Sequence, residues 1–500
     1  MRMKILTITT IMLLIFCNFI VTAEVKNDNI IDKINNKESS WQQINEDGFG
    51  DFNNRGPRGF EIFNDSIIIG TANYNNDSRL VFDKPMSIGK FLFDIIFNTV
   101  LNRNYLRSNG CEIWAFNNST GWSQLIGNKE EAIMDAGFGN KNNTEIGTLI
   151  KYKGFLYAGV KNTIDGSQIW RTKSIDDEWE LVAEEGLGNK NNIWFMESIV
   201  FNDYLYFGTY NSGDGCELFR TNDGINWETV IGKGASTKSG MGTLTNFYVW
   251  SSVIYNDTLY IGTNNLNGGG ELWKSIDGIN WKPEIAYMSR ISARLHGAKY
   301  PRGFTSSIRN IRGGIRSMAV YNNELYIGFC GEDIRSNIFL GKYRILNFGQ
   351  GVFMCSPIRR FISLGLDIFK YNSTTDKWTK VIGGIFKGNT SSGFGNPRNE
   401  YPWSMITHGK YLYVGTLCSD PINIVFNREK FLKWSITFPM STGKGELWRF
   451  DGINWEKINE DGFGNKYNVG IRELGIYHNN LYAFTMNCKT GCQAWRYNLS

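Results

Sequence analysis

Apolar residues recur along this chain in short alternating runs, and the runs repeat. One is an apolar strand ending in Gly or a close substitute. It occurs as SIIIGT from Ser66, FLYAGV from Phe155, YLYFGT from Tyr204, TLYIGT from Thr258, ELYIGF from Glu324, YLYVGT from Tyr411 and NLYAFT from Asn480. Another strand precedes each, as in ESIVFND from Glu197 or SMAVYNN from Ser317. The Asn-Asp or Asn-Asn pair between the two strands predicts a tight hairpin. A third strand follows, as CEIWAF from Cys111, SQIWRT from Ser167, CELFRT from Cys216, GELWKS from Gly270, LDIFKY from Leu366, GELWRF from Gly445 and CQAWRY from Cys492. A fourth opens with Trp122, Trp179, Trp227, Trp281, Trp378 or Trp455.

The seventh such Trp is Trp41, in WQQINEDGFG, whose tail nearly repeats WEKINEDGFG from Trp455. The pattern therefore starts on a fourth strand and stops on a third. A four-stranded unit cannot bury both faces alone, so the units must stack. Radial stacking buries their faces and protects their edges. The expectation is an all-β, seven-bladed β-propeller of four-stranded antiparallel blades over residues 41–500. Its ring would be closed by the N-terminal strand joining the C-terminal blade.

Between the third and fourth strands stand TNDGINW from Thr221, SIDGINW from Ser275 and RFDGINW from Arg449. Asp and Asn bond nearby backbone amides there, and Gly supplies positive φ. These turns resemble the Asp-box, or BNR, repeat, written S/T-x-D-x-G-x-T-W. They are one residue shorter, and Arg449 replaces the Ser or Thr. The resemblance runs along most of residues 41–500 but is clear in three turns only. It points to the sialidase-like superfamily in the broad sense, which includes glycosidases, non-catalytic receptors and assembly factors. It implies that Asp223, Asp277 and Asp451, with Trp227, Trp281 and Trp455, are structural, and that the strand of the ESIVFND type lines the central channel.

Strands in a blade alternate in direction, so all the loops between strands two and three lie on one face. The three large insertions, at about 73–109, 331–365 and 419–443, fall there. They carry 13 Lys and Arg against 7 Asp and Glu, and they are apolar as well. They either cap the channel or meet a membrane surface or a partner. Aligning the innermost strands puts Arg58, Gly147, Met196, Trp250, Arg316, Trp403 and Arg472 at one level of the channel mouth, on this insertion face. Glu197 and Glu473 follow one residue later, and strand alternation would turn them the other way. Guanidinium groups fork around carboxylate or phosphate, and Trp offers a flat apolar face. The candidate ligand-binding residues are therefore Arg58, Arg316, Arg472, Trp250, Trp403, Glu197 and Glu473. The plainer alternative is a channel cap paired with local acids. The recurrent GFGN stretches carry no phosphate-loop Lys and read as Gly turns.

Arg2 and Lys4 precede an apolar run over residues 5–21, and small residues end at Ala23. Residues 1–23 read as a secretory signal peptide, with an uncleaved anchor as the alternative, and residues 24–40 as a linker. This implies a secreted or cell-surface protein. Export permits disulfides, and Cys488 and Cys492, flanking one turn, are the favoured pair. Sequons at Asn64, Asn118, Asn256 and Asn372 permit glycosylation. Gly is abundant at 55 residues and Pro scarce at 9, which suits short strands and tight turns. A net charge of +5 is small for this length and gives no reason to expect nucleic acid. Three His without paired spacing predict no metal site, and no cofactor is expected.

Three functions fit. The first is a binding module for an anionic glycan, a surface protein or an envelope component. The second is a glycan hydrolase, for which the resemblance implies an Arg triad, a Tyr-Glu pair and an Asp acid. Only the Arg have counterparts by type, and those enzymes have six blades, so no catalytic residue is assigned. The third is a structural envelope protein whose insertions contact membrane.

Overall fold

A computed structural model describes residues 41–74, 108–265, 269–285, 313–331, 365–383, 391–418, 423–427, 433–437, 443–459, 461–487 and 489–499. The expected signal peptide, the linker and most of the three insertions lie outside the described residues. From the third insertion the structure describes one antiparallel hairpin, Asn423–Asn427 with Lys433–Thr437.

The chain is all-β and propeller-like. Its first strands are Asn54–Phe63, Asn143–Tyr152, Trp194–Phe201, Asn246–Tyr255, Ile315–Tyr321, Asn399–His408 and Asn468–Tyr477. Each pairs antiparallel with the strand after it: Ser66–Asn73, Phe155–Asn162, Tyr204–Tyr210, Thr258–Asn265, Glu324–Phe329, Tyr411–Cys418 and Asn480–Asn487 respectively. The turns between them are tight. In six of the seven both central residues have positive φ, as at Asn64 and Asp65 or Asn202 and Asp203, so their twist matches that of the strands; in the turn at Gly409 and Lys410 only the Gly does. Third strands pair on the far side of the second, and fourth strands on the third, as in Leu218–Thr221 and Glu228–Ile231. Trp41–Gln43 takes the fourth place beside Ala494–Asn498, with Trp41 opposite Tyr497.

Each first strand contacts the first strand of the next unit, and Asn54–Phe63 also contacts Asn468–Tyr477. Second strands are buried almost end to end, as over Ser66–Asn73, because neighbouring units cover both their faces. Tyrosines near the ends of the first strands tie units together. The Tyr152 hydroxyl donates to the Asp203 carbonyl at 2.7 Å, and the Tyr477 hydroxyl to the Asp65 carbonyl at 2.7 Å.

The GFGN stretches carry a second tie. In each, a Gly and the next residue take left-handed φ/ψ, as at Gly137 and Phe138. Phe49, Leu187, Met241, Phe394 and Phe463 do the same at their own turns. A bulky residue in that region is strained. Packing holds it there, since Phe138 stacks on Trp170 at 4.6 Å and Phe394 on Trp448 at 4.6 Å.

Six buried asparagines complete the tie: Asn54, Asn143, Asn192, Asn246, Asn399 and Asn468. The Asn192 Nδ2 donates to the Gly186 carbonyl at 2.9 Å and to Glu217 Oε2 at 2.7 Å. Its Oδ1 accepts from Asn211 Nδ2 at 2.9 Å, and its backbone carbonyl accepts from Ser167 N, in the preceding unit, at 2.9 Å. One residue thus satisfies three strands of its own unit, the turn before it and the neighbouring unit. The third-strand acceptor is Glu at 112, 217, 271 and 446 and Gln at 168 and 493. Only a carbonyl-type oxygen is needed there.

The DGIN turns close on their own Asp. Asp223 Oδ1 accepts from Ile225 N at 2.9 Å and from Asn226 N at 2.8 Å, and Asp277 does the same for Ile279 and Asn280. Asp451 holds Ile453 N and Asn454 N but has no hydroxyl partner at position 449. Trp281 and Trp455 are buried and Trp227 is partly so.

The expected Cys488–Cys492 pairing needs correction. Cys492 is a free, buried thiol, and Cys488 lies outside the described residues. Cys492 packs with Phe49, Trp114 and Phe484 as a small hydrophobe. Its backbone N–H is spent on the Asn54 carbonyl at 2.7 Å, which fixes the strand start inside the core.

Replacing Asn192 with Ala strands Glu217, the Gly186 carbonyl and Asn211 together. Urea denaturation should show a loss of about 2–4 kcal/mol. The same change at exposed Asn191 should cost about 0.5 kcal/mol or less. Equal losses at the two positions would contradict the tie.

Candidate functional site

The level expected at the channel mouth is a ring of β-bulges. The strand register shifts at Gly147, Met196, Trp250, Arg316, Trp403 and Arg472, and in the first unit at Gly59, beside Arg58. A bulge sets two residues against one and re-aims their side chains. This corrects the expectation for Glu197 and Glu473. Alternation fails at the bulge, and both carboxylates face the arginines instead of pointing away. Glu473 Oε1 accepts from Gly59 N at 3.4 Å, and Glu197 Oε1 from Ser252 Oγ at 2.7 Å.

The three arginines converge, each buried to 6% exposure or less. Each also lies over a Trp. The guanidinium carbon of Arg58 is 5.0 Å from the Trp194 ring centre, that of Arg316 is 5.5 Å from Trp250, and that of Arg472 is 5.5 Å from Trp403. These are cation–π distances. Trp403 lies flat on Gly470, and Arg472 crosses Gly56, where in each case a Cβ would collide. The expected Trp250 and Trp403 belong to the aromatic layer with Trp194, Tyr248 and Tyr401.

The arginines differ in their partners. Arg472 Nη2 is bound to Glu145 Oε1, and the Tyr74 hydroxyl donates to Glu145 Oε2. Lys161 Nζ stands 3.8 Å from the same Oε2 and 3.3 Å from the Tyr74 hydroxyl. Among the described residues, by contrast, neither Arg58 nor Arg316 has an ion-pair or hydrogen-bond partner.

The electrostatics follow from this packing. Burial pulls Arg58 down to about 9, with help from Arg316 and Arg472, while Glu145 and Glu473 oppose the fall. Arg58 still carries its charge at neutral pH. Burial also lowers Arg316. Burial opposes ionisation of Glu145, but Arg472, Lys161 and Arg58 outweigh it and hold that carboxyl below the usual range. Burial pushes Glu197 up to about 7, with Ser252, Arg58 and Arg316 only partly countering it. Glu473 is raised by burial too.

Sequence reasoning found the three arginines and missed Glu145, Lys161 and Tyr74. Glu145 and Lys161 sit where one unit bridges to the next: Ala72 opposite Glu145, and Lys161 opposite Trp194. A charged residue at the far end of a strand otherwise apolar, as in FLYAGVKN, was the available signal. Among the described residues no cluster of His, Cys, Asp and Glu could hold a metal ion.

No protein family and no curated protein matches the sequence. Solved structures of similar shape include Sqt1 of Saccharomyces cerevisiae, 8% identical over 92% of this chain and 100% of that chain, TM-score 0.41. A chain of the Mitotic Checkpoint Complex is 12% identical over 95% and 97%, TM-score 0.44. An alpha-L-arabinofuranosidase from Clostridium thermocellum is 13% identical over 67% and 96%, TM-score 0.29. Identity and TM-score are low in these three, so function has to be argued from this chain's own residues.

Glu145 is the counter-ion of this network, and its lowered pKa fixes the sign of a pH effect. Its stabilisation is complete above the ordinary Glu value of about 4.3 and is lost as pH falls through the lower folded value. Glu145→Gln should cost about 3–5 kcal/mol at pH 7, because it leaves Arg472 buried without a countercharge. In urea unfolding at decreasing pH, the gap between the variant and the wild type should narrow below about pH 4. A gap that stays constant would show that Glu145 is not the counter-ion.

Proposed function

We propose that the chain is a closed seven-bladed propeller of the Asp-box kind. It works outside the cell or at its surface as a binding module for an anionic carbohydrate. One observation carries the ligand class: Arg58 and Arg316 are buried, charged and without an ion-pair or hydrogen-bond partner among the described residues. No guanidinium nitrogen of either is enclosed without a partner, so among the described residues their donors remain open to an acceptor that enters the site. A carboxylate or sulfate from outside supplies the acceptors. Trp194, covered by Arg58 and Lys161, and Trp250, covered by Arg316 and Tyr248, hold the two guanidiniums in place. The cyclic contacts of the first strands, and the pairing of Trp41–Gln43 with Ala494–Asn498, support the ring. The apolar run at residues 5–21 supports export.

A second reading, hydrolysis on the sialidase pattern, is favoured by one contact, the Tyr74 hydroxyl on Glu145 beside Arg472. The electrostatics weigh against it. Burial, then Glu145, raise Tyr74 far above the usual phenol value, while Glu145 is lowered. A poor nucleophile is thus matched with a poor base.

The test is an array of acidic and neutral glycans probed with the full chain. Acidic glycans should bind and their neutral counterparts should not. Arg316→Met should weaken binding by about 30-fold or more, since it removes one side of a buried charge contact. Equal binding of neutral glycans, or an unaffected Arg316→Met, would refute the ligand class. Release of free sugar by the wild type would favour the second reading.

A further inference from the structure

The charges at the channel mouth divide into two sets. Arg472, Lys161, Glu145 and Tyr74 form a bonded set. Arg58, Arg316, Glu197 and Glu473 form a second set that is near balance but loosely held. Each member feels the others' charge, yet among the described residues no carboxylate of this set lies within ion-pair distance of its guanidiniums. With Arg472, Lys161 and Glu145 included, four cations face three carboxylates. An anion seated on Arg58 and Arg316 adds a negative charge beside the half-buried Glu197 and Glu473, which disfavours their ionised forms and favours uptake of a proton.

The two carboxylates are not equal candidates for that proton. Glu473 accepts from the backbone N–H of Gly59, a group that can only donate. Glu473 can take a proton without losing that bond only on its other oxygen, Oε2. Glu197 accepts from the Ser252 hydroxyl, which is a donor and an acceptor at once. When Glu197 gains a proton, Ser252 can turn and accept it, so nothing is left unsatisfied. Of the other elements packed on this strand, Asn143–Tyr152 offers Thr148, already bonded to Ser198 at 2.6 Å, and Phe155–Asn162 brings Lys161 opposite Trp194.

We infer that this site binds a carboxylate together with one proton. The ligand carboxylate sits on Arg58 and Arg316, and Glu197, facing Ser252, takes the proton from solvent. The inference rests on the anion-binding reading above and adds its regulation and stoichiometry. Binding strengthens as pH falls. Burial already pushes the Glu197 carboxyl up to about 7 in the empty site, so the effect lies in the physiological range. A bound anion cancels the pull of Arg58 and Arg316 on Glu197 and raises it further.

D-Glucuronate is a suitable probe, because its carboxyl stays ionised across this range, with D-glucose as the neutral control. Calorimetric titration of the full chain in two buffers of different ionisation heat should show net proton uptake at pH 7.5. Affinity should rise about tenfold between pH 8 and pH 6 and then level off. Glu197→Gln mimics the protonated form, so it should bind with no proton uptake and with pH-independent affinity. Difference infrared spectra of the wild type give a separate measure. A carboxyl band absent from Glu197→Gln should titrate near neutrality and shift upward with glucuronate. Binding without proton uptake, or proton uptake that persists in Glu197→Gln, overturns the coupling and leaves anion binding intact. Failure of glucuronate to bind at any pH, or equal binding of glucose, overturns both.

Discussion

The fold depends on a buried amide. At six places an Asn side chain closes the turn before its strand, holds two further strands of its unit and reaches the acid or amide of the third strand. Its backbone carbonyl meanwhile binds the neighbouring unit. No apolar residue can replace it, because every group it touches is polar and out of reach of water. The left-handed Phe of the preceding turn, the stacked Trp and the Glu or Gln acceptor all take their positions from this residue. What hydrophobic burial drives, the Asn makes specific in register.

That register sets the site. Because each unit is fixed to the next at the same height, the bulges of the first strands come to one level. Large and charged side chains from separate units then meet over glycines. The result is a cluster of arginines, a lysine and carboxylates gathered at one level of the interior. One part is ion-paired internally, Arg472 with Glu145 and Lys161, although Arg472 Nε and Nη1 are enclosed without an acceptor among the described residues. The other part, around Arg58 and Arg316, is left open. This division could not be read from three arginines that look alike in sequence.

The features legible in the sequence were local ones. Asn-Asp and Asn-Asn pairs announce their hairpins because the turn needs two positive φ values in succession. Trp41 announces its place because its flanking residues repeat those of Trp455. Arg58, Arg316 and Arg472 were legible as a level because the strands repeat in length. Glu145 and Lys161 were not, since they reach the cluster through bridges between units. Glu197 and Glu473 were misread because two-residue alternation holds only in an unbroken strand. The Cys488–Cys492 pairing rested on spacing alone, whereas Cys492 is committed to the core. The GFGN stretches were legible as turns, but their Phe was not legible as a strained residue held by a Trp.

Trp41–Gln43 and Ala494–Asn498 share one unit although they stand far apart in the chain: Ala494 N bonds Asn45 Oδ1 across 449 positions. Translation makes the first of these strands long before the second. At roughly 5–20 residues per second, a ribosome leaves the early strand without its partner for on the order of half a minute or longer. During that time its edge is open to any other strand, including one from a neighbouring nascent chain. The strand is only three residues long and partly polar, WQQ, which makes it a poor template for such mispairing. Its brevity thus protects the protein during synthesis, while the Trp41 indole, bonded to the Ile458 carbonyl at 2.8 Å, holds it once the partner arrives.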